Sequence, residues 1–159
     1  MKIAIGTDHA GFEMKQDLME FLLAKENIDI EDKGAFEYTE NDDYPDFVAP
    51  VAKAVSEGKV DFGIVIGGSG QGEAIVANKF PGVRAIVFNG YAPAVPDEIK
   101  LSREHNDANI ISLGARFLSS EAAKESVDLW LNTKFSGEER HTRRIKKIQE
   151  IEDSLGFRR

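Results

Sequence analysis

Short runs of apolar, largely β-branched residues recur along the chain at 2–6, 28–32, 62–67, 84–88 and 109–114, and amphipathic stretches separate them. Runs such as Ile64-Val65-Ile66 are apolar at consecutive positions, which suits strands buried on both faces and not strands with one wet face. The intervening stretches carry apolar residues at helical spacing. Phe12, Met14, Leu18, Phe21 and Leu22 form one stripe over 12–24, and helices are also expected at 44–57, 71–79, around 102–105 with the residues upstream, and at 120–131. Strand and helix alternating this regularly imply a parallel sheet with right-handed crossovers. The expected fold is therefore α/β, a Rossmann-like three-layer α/β/α arrangement with a five-stranded parallel sheet, in one domain over 1–159.

A further helix is expected at 137–155 with no strand after it. Its apolar residues Ile145, Ile148, Ile151 and Leu155 are spaced by three and four, so it has a face to bury, and a partner subunit is the expected cover. The net charge of −8 argues against nucleic acid or an anionic membrane as partner. With no cysteine, the chain has no disulfide, no thiolate metal site and no cysteine nucleophile, which fits a reducing cytoplasm. Neither a signal-peptide core nor an apolar run of the ~18 residues needed for a membrane span is present, so a soluble, cytoplasmic protein is expected.

Ligands in open parallel sheets sit beyond the carboxyl ends of the strands. That rule points to residues 7–11, 67–73, 89 onward and 114–116. The segment GGSGQGE at 67–73 enters a helix, as a phosphate-cradling loop would. Neither nucleotide fingerprint fits: the dinucleotide pattern started by Gly68 and Gly70 meets Glu73 at its third glycine, and the phosphate-loop pattern started by Gly67 and Gly72 meets Glu73-Ala74 in place of lysine and a hydroxyl residue. Two like charges about 4 Å apart repel by ~4 kcal/mol at an effective dielectric near 20, so a phosphate should not sit against Glu73. A first-turn glutamate can simply complement the helix dipole. The same field favours an ionised carboxylate that can act as a general base, while the Ser69 hydroxyl and the loop N–H groups are suited to a developing oxyanion. Base and oxyanion donors on one loop suit proton abstraction beside a carbonyl.

Other polar residues have both structural and functional readings. Asp8-His9 ends the first strand, His105-Asn106-Asp107 precedes the fifth, and Arg116 follows it. Arg140 and Arg144, on either side of His141, are four apart and share a helix face, which is either solvated or a clamp for a phosphate. Tyr44, before Pro45, reads as a helix entry.

Taken together, GTDHAGFEMK, DDYPDF, GGSGQGEAIVANK, SREHNDAN and RHTRR, in this order, closely resemble the ribose-5-phosphate isomerase type B family, which also includes galactose-6-phosphate isomerase subunits and allose-6-phosphate isomerases. The resemblance implies interconversion of ribose 5-phosphate and ribulose 5-phosphate through a cis-enediolate with no cofactor and no metal. It also implies a homodimer or homotetramer with active sites between subunits and the C-terminal helix reaching the neighbour. Many members use a cysteine base just after the third strand, where this chain has Gly67; another branch uses a glutamate on the following helix turn, here Glu73. By resemblance Ser69 stabilises the enediolate, His105 opens the furanose ring, and Asp8 and Asn106 hold sugar hydroxyls. His9, Arg116, Arg140 and Arg144 bind the phosphate, the last two from the other subunit, Tyr44 lines the sugar site, and Gly68, Gly70 and Gly72 bring backbone close to it. The stretch 89–98 is longer than the resemblance leads one to expect and carries two prolines, which leaves a six-carbon or another pentose phosphate as an alternative substrate. A non-catalytic sugar-phosphate-binding subunit is a further alternative.

Overall fold

A computed structural model of the protein describes residues 1–90 and 95–156, with the side chains of 95–97 outside that description. Its five strands are β1 (Lys2–Thr7), β2 (Asp29–Asp32), β3 (Phe62–Gly67), β4 (Ala85–Phe88) and β5 (Ile110–Gly114). All pair in parallel, in the order β2-β1-β3-β5-β4. The helices are α1 (Phe12–Leu23), α2 (Tyr44–Ser56), α3 (Gln71–Ala77), α4 (Val95–Glu104), α5 (Ser120–Asn132) and α6 (Glu139–Ser154). This is the expected Rossmann-like α/β arrangement. The long stretch 89–98 lies partly outside the described residues, at 91–94.

The two-residue period of each strand divides the core between the two faces of the sheet. Ile3 and Ile5 of β1, Ile64 and Ile66 of β3, and Ile111 and Leu113 of β5 pack with Leu18 and Leu22 of α1 and Val127 and Trp130 of α5. Their alternates Ala4, Val65 and Ile110 pack with Val48, Val51, Ala52 and Val55 of α2 and Ala77 of α3. Every one of these side chains is buried. Burying both faces is why the strands read as unbroken apolar runs in the sequence.

The chain winds outward from β1 to β2 on one side and from β3 onward on the other. The gap between β1 and β3 is therefore the topological switch point, where the carboxyl ends of adjacent strands leave a crevice. Register pairs Thr7 with Ile66 and Gly67 with Gly114, so the segments after β1, β3 and β5 emerge side by side.

After β1 the chain makes a 3-10 turn over His9–Gly11, which the periodicity did not reveal. Its cap is Asp8, whose carboxylate accepts from Ala10 N–H. Helix α6 is held to the chain at Glu152, whose carboxylate oxygens accept from Gly82 N–H at 2.9 and 3.0 Å. Of its expected apolar face only Ile145 is half-buried; Ile148, Ile151 and Leu155 are 44%, 59% and 68% exposed, so within one chain that face is left uncovered.

Candidate active site

The glycine loop is tied down by its carbonyls. Gly67 O accepts from Ala115 N–H and Gly68 O from Arg116 N–H. Ser69 O accepts from Asn89 Nδ2 at 3.1 Å, and Gly70 O from Ser112 Oγ at 2.6 Å. In a trans peptide the C=O and the following N–H point oppositely. Four carbonyls drawn toward β5 and the end of β4 therefore turn the N–H groups of residues 68–71 the other way. Gly70 adopts φ of +78° at the head of α3, in the left-handed region open to glycine.

Glu73 lies in the first turn of α3 and is 4% exposed. Its carboxylate packs directly on Gly67, where a β-carbon would overlap Cδ and Oε1 of Glu73. Burial pushes the Glu73 carboxyl above the ordinary value and the neighbouring charge of Asp8 adds to this, while hydrogen bonds from the N–H groups of Glu73 and Gly70 pull the other way. The helix-terminus field expected to favour the ionised form is thus outweighed by desolvation. Some of the loop N–H groups also serve the carboxylate itself. The Ser69 hydroxyl accepts from Gln71 N–H at 3.3 Å, which leaves its proton to be donated.

Asp8 acts directly on this carboxylate, Tyr44 and Arg116 pack on Gly72 and Gly68 of the same loop, and His9 adjoins Asp8. Asp8 is 6% exposed, and burial pushes its carboxyl up as well, with Asp42 contributing in the same direction. The Tyr44 ring packs against Gly72, with its hydroxyl 2.8 Å from where a β-carbon there would stand. The Arg116 guanidinium lies over Gly68 and has no acidic partner among the described residues. His9 Nδ1 is 2.7 Å from Asp42 Oδ1. Asp8, His9 and Asp42 are the grouping among the described residues with metal-ligand spacing, one donor atom each within 4.8 Å, although Nδ1 is already engaged by Asp42.

The remaining expected site residues form a second group along the edge strand β4, with β5 between it and β3. A cavity of about 510 Å³ is lined by Ile86, Phe88, Ser102, His105, Asn106 and Arg144. The His105 ring stacks on His141, with centroids 4.1 Å apart and planes 11° from parallel. His141 is 2% exposed; burial, then the charges of His105 and Arg140, hold it below the usual imidazole range. Arg140 Nε donates to Glu138 at 2.8 Å, so the expected clamp is half engaged by its own helix. Among the described residues no hydrogen bond, ion pair or ring contact links this group to Glu73, Ser69, Asp8 or His9.

Four residues with a part in the site were given no role by sequence reasoning: Asp42, Asn89, Ser112 and His141. Asn89 stood in a strand-end segment and Asp42 opened the DDYPDF stretch, so position alone could have raised them. Ser112 reads only as an interruption in an apolar strand.

Residues 3–148 match the sequence pattern of the Ribose/Galactose Isomerase family. The chain is 42% identical over 151 residues to ribose-5-phosphate isomerase B of Escherichia coli, covering 95% of this chain and 96% of that protein. It superposes on a Clostridium thermocellum ribose-5-phosphate isomerase B with a TM-score of 0.88 at 44% identity, covering 98% and 99% of the two chains. Against the Mycoplasma genitalium ribose-5-phosphate isomerase B with bound ribulose-5-phosphate the TM-score is 0.87 at 35% identity, with 96% of each chain covered. A match over nearly the full length with the same fold means that the chain belongs to the ribose/galactose isomerase family.

Proposed function

We propose that this chain, acting as one isomerase domain over 1–159, interconverts ribose 5-phosphate and ribulose 5-phosphate with Glu73 as the base. The observation that carries the reading is the buried Glu73 carboxylate seated on Gly67 at the head of a loop whose N–H groups are turned away from β5. Glu73 takes the proton from C2 and returns it to C1. The same face of the enediolate is served in both directions, so one carboxylate suffices. A carboxyl raised toward the working pH suits a group that must both accept and give up a proton. Ser69 O–H and the free loop N–H groups stabilise the charge developing on oxygen.

His105 assists ring opening, Asp8 and Asn106 hold sugar hydroxyls, and Tyr44 lines the sugar site. The phosphate belongs with His9, Arg116, Arg140 and Arg144, away from Glu73, which avoids the repulsion that a phosphate beside the base would suffer. His105, Asn106, Arg140 and Arg144 serve a neighbouring copy's Glu73, so that each site is built from two chains of a homodimer or homotetramer. The uncovered face of Ile148, Ile151 and Leu155 supports such packing of the C-terminal helix.

The test is turnover of ribose 5-phosphate by chelator-treated protein, with Glu73→Gln and a six-carbon aldose phosphate run alongside, since the family pattern spans ribose and galactose isomerases. Pentose turnover lost in the variant is the expected result. Turnover of the six-carbon substrate alone moves the assignment to a sister isomerase, and no turnover of either makes the chain a binding subunit.

A further inference from the structure

We propose that Asp42 is a positioning residue for substrate phosphate: it holds His9 in one orientation and one protonation pattern, with Nε2 as the ring nitrogen presented to the phosphate. This rests on the reading above in which His9 takes the phosphate.

Asp42 stands in the connection between β2 and α2, and its Oδ1 meets His9 twice: it accepts from the backbone N–H at 2.9 Å and lies 2.7 Å from Nδ1. An ionised carboxylate only accepts, so the contact with the ring requires the proton to be on Nδ1. Nε2 is then the nitrogen left for a ligand. Holding the backbone and the ring from one oxygen fixes both the position of the residue and the angle of its side chain. Tyr38 stands edge-on to the ring, with centroids 6.4 Å apart and planes at 88°, and limits its swing on another side. Asp8 is the competing partner, but its Oδ2 is 3.9 Å from Nδ1 and its Oδ1 is occupied by Ala10 N–H.

The second oxygen of Asp42 separates this role from a simple loop tie. The Asp42 side chain is 9% exposed, and its Oδ2 is buried with no hydrogen-bond partner among the described residues. A carboxylate kept for loop structure alone would be expected to satisfy both oxygens, because a buried, half-satisfied charge is costly. Negative charge behind the ring does have a use when a phosphate approaches from the front. It compensates an imidazolium, so that Nε2–H can donate to the phosphate in a charge-assisted bond.

The effect should fall on phosphate capture and not on proton transfer at Glu73. Asp42→Ala, His9→Asn and the double variant are compared for KM and kcat with ribose 5-phosphate and for competitive inhibition by inorganic phosphate. Asp42→Ala is expected to raise KM and the phosphate Ki about tenfold, as for a lost bond to a charged group, with kcat within about twofold. Added to His9→Asn it should raise neither further. Unchanged KM in Asp42→Ala, or the same rise in both backgrounds, overturns the proposal while leaving His9 in place. If His9→Asn itself changes neither constant, the phosphate reading of His9 fails, and the proposal with it. The ¹⁵N spectrum of wild-type His9 decides the matter even if Asp42→Ala does not fold: an Nδ1-protonated ring is expected, and a neutral ring protonated only at Nε2 overturns the proposal.

Discussion

The carboxylate of Glu73 fills the volume that a side chain on Gly67 would need. A side chain at 67 and an inward-facing carboxylate at 73 are mutually exclusive occupants of one space. A functional group can reach this point from the end of β3 or from α3, and here it is the carboxylate on α3 that occupies it.

Gly67→Ala should therefore expel or distort the Glu73 carboxylate. Overpacking of a tight interior typically costs about 1–3 kcal/mol, and kcat should fall together with stability. In a Glu73→Ala background the same substitution meets no carboxylate, so its stability cost should largely vanish. Denaturant unfolding of the four members of this cycle measures the coupling; equal costs in both backgrounds would mean that the neighbour resisting residue 67 is not Glu73.

Glu73→Gln should lower kcat by about 10²–10⁴-fold, the usual contribution of a positioned general base, and should also stabilise the protein at neutral pH. The sign follows from burial. The folded-state value of Glu73 lies above the ordinary carboxylate value, so between the two the folded chain binds more protons than the unfolded one, and stability declines as pH rises through that interval. Asp8 contributes in the same direction. The glutamine variant should flatten its share of the decline, read as a smaller difference in Tm between mildly acidic and neutral buffer. An undiminished decline would assign it to Asp8 alone.

His141 has the opposite linkage. Its folded-state value is held below the ordinary imidazole value of 6.5, so stability is lost as pH falls below about that point, where the unfolded imidazole takes up a proton that the buried ring resists. His141→Phe keeps a ring to stack on His105 and removes the titration. Its unfolding midpoint should be less sensitive to acid below about pH 6.5 than that of the wild type. A variant with unchanged acid sensitivity would place the loss elsewhere.

The elements were legible because β1, β3 and β5 are buried on both faces and α1, α2 and α5 on one, so burial writes a period into the sequence; the ends agree to within a few residues. The 3-10 turn at His9–Gly11 was not legible, since it is set by the Asp8 cap and not by periodicity. At the site, the glycine loop and the place of Glu73 in the first turn of the following helix could be read from residue type and spacing. The net direction of its proton affinity could not, because the helix-end field is visible in sequence whereas desolvation depends on what the fold stacks over it. Asp42 was invisible as a partner of His9 for a related reason: the contact joins two loops 33 residues apart, with no local pattern to announce it.

The separation of the site residues into two groups gives the sharpest test of how the site is assembled. Glu73, Ser69, Asp8 and His9 gather at the ends of β1 and β3, while His105 and Arg144 face a cavity along β4. If each site joins the first group of one copy to the second group of another, a Glu73→Gln chain and a His105→Asn chain fail for complementary reasons. Mixed under conditions that exchange subunits, they form heteromers in which one site carries both defects and the other carries neither. For a two-fold dimer with random exchange, about a quarter of the sites should then be intact, and activity should climb toward about that fraction of wild type as exchange proceeds. Two inactive proteins that stay inactive after verified exchange would mean that both groups act within one chain. That outcome would require the β4 cavity and the glycine loop to close on each other, a movement that would have to carry α4 toward β3.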